Sequence, residues 1–131
     1  MSELIYMLDS EGLSKAVLGD RRMGSILKDA DRSGIRVVTT SMTLVEAYHK
    51  RVKRDAWRWT LSKIAVESVT GEIADHAISL LEGAGLHGHK YAIDAALAAV
   101  ALRERGDVTI FTSDVEDMSI LCGDRVVILG I

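Results

Sequence analysis

Short apolar runs alternate with amphipathic segments along the chain, and this alternation predicts the order of its elements. Continuous apolar runs of strand length predict strands at 4–8, 35–39, 64–69, 108–111 and 126–129. Apolar residues at helical spacing between them predict helices at 13–18, 20–32, through 47–48, 70–83, 90–105 and 118–122. Glu67 and Ser68 interrupt the third run, which predicts a strand at the edge of the sheet.

The order of these elements predicts the fold class. Strands that are separated by helices form parallel sheets covered on both faces. The chain is therefore predicted to be an α/β protein, a three-layer α/β/α sandwich with a mostly parallel five-stranded sheet, in a single domain over residues 1–131. Ser10 is the predicted N-cap of the first helix, and Gly106 is the predicted cap that ends the helix at 90–105.

One charged residue breaks the apolar pattern of the helix at 90–105. Asp94 lies between Ile93 and Ala95 in a segment of alanine, isoleucine and leucine. Burial would normally exclude a charge from such a position, so another group must compensate it.

Asp94 and three other acids are predicted to lie at the same edge of the sheet. Ligands of parallel sheets bind beyond the carboxyl ends of the strands. The acids predicted at that rim, from four separate segments, are Asp9, Glu46, Asp94 and Asp114, with Asp117 one turn further on. Clustered carboxylates either take up protons or bind a divalent cation, and oxygen ligands suit Mg²⁺ or Mn²⁺ better than zinc. A metal-activated water could then attack a phosphodiester.

Most of these acids also have a structural explanation. Ser113-x-x-Glu116 and Thr43-x-x-Glu46 both match a helix capping box, and Asp114 is a natural N-cap. Asp9 could simply close a strand. Capping does not explain Asp94, and it does not predict that the acids share one rim.

Composition restricts the remaining classes of function. The 131 residues carry a net charge of -3, which is unlike a nonspecific nucleic-acid coat. There is no apolar run of membrane-spanning length and no secretion signal at the start, so a cytoplasmic protein without a membrane partner is predicted. The single cysteine, Cys122, is predicted to be a small core residue.

The ordered motifs resemble the PIN-domain family, in particular the toxin-type ribonucleases of bacterial toxin–antitoxin pairs. The matching pieces are Asp9-Ser10, Thr40-Ser-Met-Thr-Leu-Val-Glu46, Tyr91-Ala-Ile-Asp94 and Phe111-Thr-Ser-Asp114-Val-Glu-Asp117. The resemblance implies that Asp9, Glu46, Asp94 and Asp114 are catalytic and hold one or two Mg²⁺ or Mn²⁺ ions, together with Asp117. It implies that Ser10, Thr112 or Ser113 orders metal-bound water. It also implies an RNA substrate, a cognate antitoxin and a homodimer. Glu11 and Met118 depart from residues that are usual in the family.

A basic segment follows the second predicted acid. Lys50, Arg51, Lys53 and Arg54 precede Trp57 and Trp59, and they could bind RNA phosphates while the tryptophans stack on bases. Alternatively, the segment is a solvated helix face whose tryptophans pack against a partner subunit. His87 and His89 are interpreted as a loop that contacts substrate or caps the next helix, rather than as metal ligands.

The sequence therefore predicts a metal-dependent endoribonuclease, with two rivals. One is a non-catalytic module that keeps the fold and uses its rim to bind RNA or protein. The other is a receiver-like phosphoacceptor domain, but Thr112, Ser113 and Asp114 follow Phe111 where a receiver needs a lysine after a late strand.

Overall fold

The computed structural model describes residues 3–131 and contains five strands and seven helices in that range. The strands are β1 (Leu4–Leu8), β2 (Arg36–Thr40), β3 (Ala65–Glu67), β4 (Asp107–Thr112) and β5 (Val127–Gly130). The helices are α1 (Ser10–Leu18), α2 (Arg21–Ser33), α3 (Ser41–Ala47), α4 (Arg54–Leu61), α5 (Gly71–Ala84), α6 (Gly88–Arg103) and α7 (Val115–Cys122). None of these described helices is long and apolar enough to cross a membrane.

The strands form one sheet in the order β3-β2-β1-β4-β5, and all four pairings are parallel. The predicted α/β class and the edge position of β3 are confirmed. The chain builds outward from β1 on one side and from β4 on the other. The strand order therefore reverses between β1 and β4, where a crevice for a ligand opens in folds of this kind.

Helices cover both faces of the sheet because alternate strand residues point to opposite sides. Met7 and Ile110 pack with α5, α6 and α7, whereas Leu8 and Phe111 pack with α1, α2 and α4. Cys122 is buried in the first of these cores, and burial raises the pKa of its thiol to about 11. The prediction that Cys122 is a core residue is confirmed, because a thiol of this kind stays protonated and unreactive near neutral pH.

Two predicted helix caps are wrong. The helix α1 begins at Ser10, and its N-cap is Asp9, whose side chain accepts a hydrogen bond from the Gly12 N–H. The helix α6 ends at Arg103 with Glu104 at its C-cap, so Gly106 lies beyond the helix. Gly106 instead lies against the backbone of Glu3. A Cβ atom at this position would overlap the Glu3 carbonyl oxygen, so the position has no room for a side chain.

Neither segment that matches a capping box forms one, because the N-caps of α3 and α7 are Thr40 and Asp114 rather than Thr43 and Ser113. Thr40 caps α3 by accepting a hydrogen bond from the Thr43 N–H, which leaves Glu46 in the last turn of the helix. Asp114 occupies the N-cap position of α7, as predicted; its side chain makes no capping bond of full hydrogen-bond geometry, but the Asp117 backbone N–H is near enough to lower the pKa of its carboxyl. Helix termination therefore accounts for the position of Asp114 but not for that of Glu46.

Gly106 gives a stability prediction. We expect Gly106→Ala to lower the free energy of unfolding by about 2 kcal/mol, because the new methyl group overlaps a backbone carbonyl that cannot move aside. Gly24→Ala is the matched control. Its Cβ would meet nothing within 4 Å inside α2, so it should stabilise by about 0.5–1 kcal/mol. Urea denaturation of both variants checks this, and equal effects would contradict the packing at Gly106.

Candidate active site

A polar cavity of about 490 Å³ opens beyond the carboxyl ends of the central strands. Five carboxylates line it, Glu11 of α1 and four that the sequence predicted, together with the side chains of Ser10 and Ser113. The four are Asp9 at the end of β1, Glu46 in α3, Asp94 in the second turn of α6 and Asp114 just after β4. The topology explains why they meet, because α3 follows β2, the neighbour of β1, and α6 leads back into β4.

Asp9 is the most constrained of the four acids. Its carboxylate is buried, and one oxygen, Oδ1, accepts the Gly12 N–H at 2.8 Å. The other oxygen, Oδ2, accepts the Thr112 hydroxyl at 2.7 Å and the Ser113 N–H at 3.0 Å. Three of its roughly four lone-pair positions are therefore filled by the protein, which leaves one for a further ligand. Asp9 fixes the relative positions of β1, β4 and α1 as well as lining the cavity.

Glu46 is held by a serine from the other side of the cavity. The Ser10 hydroxyl donates a hydrogen bond to Glu46 Oε1. Ser10 directly follows Asp9, so this bond joins the first turn of α1 to the last turn of α3. The bond orients an exposed carboxylate that has no other side-chain partner among residues 3–131.

Asp94 is half-buried, and its environment opposes its charge. Burial raises the pKa of its carboxyl to about 6, and the negative charges of Asp9, Asp114, Glu46 and Asp117 add to the shift. None of these main causes is a cationic side chain among residues 3–131. The carboxylate that breaks the apolar pattern of α6 is therefore destabilised in its ionised form, and a bound cation would relieve that destabilisation.

Asp114 is paired with Asp117 on α7. Partial burial raises the pKa of the Asp114 carboxyl, and a hydrogen bond with the Asp117 side chain and the charge of Asp117 raise it further. The Lys90 ammonium acts in the opposite direction. Asp117 does not line the cavity itself. It affects the site by raising the pKa of the Asp114 carboxyl and, through its negative charge, the pKa of the Asp94 carboxyl.

The four carboxylates line the wall of the cavity without converging on one point. Within residues 3–131, no three histidine, cysteine, aspartate or glutamate side chains are grouped closely enough to hold one ion. Asp9 and Glu46 are instead bound by groups of the protein, Asp9 by Gly12 and Thr112 and Glu46 by Ser10. The donor set is nevertheless all oxygen and highly charged, and Asp94 lacks a compensating charge. These features fit a hard divalent cation such as Mg²⁺.

The other predicted site residues are distributed unevenly. Thr112 is buried between two acids, because its hydroxyl donates to Asp9 and accepts the Asp114 N–H at 3.0 Å. Arg51 lines the cavity. The remaining predicted substrate-binding residues are exposed and do not line it: Lys50, Lys53, Arg54, His87 and His89. His87 stands at the N-cap position of α6 without a side-chain capping bond.

The sequence interpretation missed three side chains in the cavity wall, Glu11, Ser14 and His49. Glu11 and Ser14 lie in α1 with helical spacing from Ser10, so the first turns of that helix could have indicated them. His49 lies beyond the end of α3, and no periodic pattern places it there.

Comparisons with known proteins bear on this site. Residues 6–119 match the family model of the PIN domain. No curated protein matches the chain. Two solved structures share the fold. VapBC2 from Rickettsia felis bound to a DNA fragment from the promoter has a TM-score of 0.69 and 16% identity, and covers 97% of this chain and 98% of its own. A toxin–antitoxin complex from Klebsiella pneumoniae has a TM-score of 0.64 and 20% identity, and covers 93% and 95%. The family match extends over most of the chain and includes Asp9, Glu46, Asp94 and Asp114, so this protein belongs to the PIN domain family.

Proposed function

We propose that the protein is an endoribonuclease that hydrolyses RNA phosphodiester bonds with the help of Mg²⁺ or Mn²⁺. The observation that carries this proposal is the open cavity at the strand-order reversal, which is lined by the four predicted carboxylates, from four separate elements, and by Glu11. A cavity with this much negative charge does not suit a bare phosphate backbone, but it suits a divalent cation that in turn binds phosphate.

The side chains at the cavity would have different roles in this reaction. A divalent cation, when bound, lowers the pKa of a water nucleophile and offsets negative charge at the phosphate. Asp94 and Asp114 supply negative charge at the cavity wall, and their raised pKa values mark the repulsion that cation binding removes. Thr112 holds Asp9 and the backbone of Asp114 in register, and Ser10 holds Glu46.

The biological role that we propose is that of a toxin controlled by an antitoxin. Both similar structures cover nearly all of this chain, and the one from Klebsiella pneumoniae is a toxin–antitoxin complex. We extend this role to the present chain together with the homodimer and the cognate antitoxin that the motif resemblance implies, and with the cytoplasmic location predicted from the sequence.

A second candidate is a non-catalytic module that keeps the fold and binds RNA or protein at the same rim. One observation favours it, because no three ligating side chains are grouped within the described residues. Such a module would bind RNA and leave it intact in the presence of Mg²⁺.

Cleavage of a mixed RNA pool distinguishes the two candidates. We expect the purified protein to cut the pool in millimolar Mg²⁺ and to stop when EDTA is added. Asp94→Asn should leave the pool intact under both conditions, because it removes a charge from the cavity wall with little change of shape. Cleavage that continues in EDTA or in the variant would contradict the metal-dependent mechanism, and intact RNA with wild type would favour the binding module.

A further inference from the structure

The turn that joins α3 to α4 provides the basic part of the cavity wall. Among the described residues that line the cavity, His49 and Arg51 are the two with basic side chains, and they share the wall with five carboxylates. Lys50, between them, is exposed and does not line the cavity. The turn therefore directs alternate residues toward the site.

Hydrogen bonds and packing fix the conformation of this turn. The Val52 side chain is buried in the core beside α1 and α4, and the Val52 N–H donates to the His49 carbonyl at 3.0 Å. The Arg51 N–H donates to His49 Nδ1 at 3.2 Å. Behind the turn, the rings of Tyr48 and Trp57 meet edge to face with centroids 5.0 Å apart. The backbone of the turn and the His49 ring are therefore fixed before any ligand binds, whereas the Arg51 guanidinium extends from this turn as an exposed side chain.

The bond to His49 also determines which ring nitrogen can donate. Because Nδ1 accepts the Arg51 N–H, the neutral ring carries its proton on Nε2. His49 thus offers an N–H donor, and Arg51 offers a guanidinium whose planar fork matches two phosphate oxygens. Both are donor groups, on a wall whose other charged members are acceptors only.

We propose that His49 and Arg51 form a subsite that binds a phosphate of the nucleic-acid backbone next to the carboxylates. The inference rests on the proposed function, since it names where the RNA strand would be held. A polyanion that approaches five carboxylates is repelled, and charges further away than about 8 Å are largely screened at physiological salt. The Arg51 guanidinium in the cavity wall itself can therefore offset this repulsion at the reacting position, and the His49 Nε2–H adds a neutral hydrogen-bond donor beside it.

Binding can be measured separately from cleavage. The Asp94→Asn background in EDTA prevents cutting, and the probe is a short, fluorescein-labelled single-stranded RNA of mixed sequence followed by anisotropy. We expect Arg51→Ala to weaken binding about fivefold to tenfold and to reduce the slope of log K against log salt by about 0.7. Arg32→Ala, which removes the same charge from the exposed end of α2, should change the affinity less than twofold.

Two more variants test the geometry of the subsite. His49→Asn keeps an acceptor for the Arg51 N–H but removes the Nε2 donor, so it should weaken binding about threefold without lowering the melting temperature. The loss of affinity caused by Lys50→Ala should be at least threefold smaller than the loss caused by Arg51→Ala. Equal losses for Lys50 and Arg51 would overturn the subsite, because they would indicate a general basic surface. Absence of RNA binding by the background protein would overturn it as well.

Kinetics separate this inference from the proposed function. If wild type cuts RNA, Arg51→Ala should raise KM about tenfold and change kcat less than threefold, because the subsite holds the substrate beside the reacting bond. An unchanged KM would overturn the subsite and leave the nuclease intact. RNA binding that depends on Arg51 in a protein that cuts nothing would support the subsite and remove the nuclease proposal.

Discussion

Replacing Asp94 by asparagine is expected to abolish cleavage and to stabilise the metal-free fold at the same time. Loss of activity should be about a thousandfold or more, because the variant removes one of the charges that would bind the cation. The melting temperature in EDTA at pH 8 should nevertheless rise by about 3–8 °C. The reason is that the ionised Asp94 carboxylate is opposed by burial and by four neighbouring acids.

The dependence on pH follows from the direction of the pKa shift. The Asp94 pKa is about 6 in the folded protein, above its ordinary value of 3.8. The folded state therefore binds the proton more tightly than the unfolded state does, and wild type is favoured at low pH. This contribution is complete below pH 3.8 and is lost as the pH rises through 6. Because Asp94 is only half-buried, solvent screening reduces the loss to about 1–2 kcal/mol.

Melting curves at several pH values check this expectation. The advantage of Asp94→Asn over wild type should be present at pH 8 and should disappear near pH 4, where both side chains are neutral. Asp29→Asn, at an exposed position of α2, is the matched control and should show no advantage at either pH. Millimolar Mg²⁺ should raise the melting temperature of wild type more than that of Asp94→Asn. If Asp94→Asn melted below wild type at pH 8, this would contradict the inference that burial and neighbouring acids destabilise the ionised Asp94 carboxylate.

The fold could be predicted from the sequence because apolar residues recur along its elements with the spacing of a strand or of a helix. The strand Leu4–Leu8 is bounded in the structure as predicted, and α6 was recognised from its apolar length. Helix ends were less predictable, since several residues near each end could serve as a cap. Asp9 rather than Ser10 is the N-cap of α1, because its carboxylate can accept hydrogen bonds from α1 and from β4 together. A local pattern contains no information about the second of these contacts.

The site was predictable to a similar extent. Acids at the ends of central parallel strands must lie at one edge, so the position of Asp9 and Asp114 follows from topology. The bond between Ser10 and Glu46 joins residues 36 positions apart, and the turn that brings His49 into the wall depends on the burial of Val52. These contacts depend on tertiary packing, and no spacing along the chain indicates them.

Asp9→Ala is expected to have the opposite effect on stability, although Asp9 and Asp94 line the same cavity. The change removes the N-cap of α1 and leaves three donors without their partner: the Gly12 N–H, the Thr112 hydroxyl and the Ser113 N–H. Loss of a cap costs about 1 kcal/mol, and each buried donor left unpaired costs about 1–3 kcal/mol before the structure relaxes. We expect the free energy of unfolding to fall by about 3–4 kcal/mol, measured by urea denaturation in EDTA.

Asp20→Ala separates the two parts of this loss. Asp20 caps α2 in the same way, through the Met23 N–H at 2.9 Å, but it is exposed and makes no other side-chain hydrogen bond among the described residues. Its replacement should cost about 1 kcal/mol. The difference between the two variants measures the bonds from Asp9 to Thr112 and Ser113, and equal losses would show that these bonds contribute nothing. A large difference would mean that an inactive Asp9→Ala protein reports on folding as much as on chemistry. Asp94→Asn, whose fold is expected to be stabilised, is then the variant that tests catalysis.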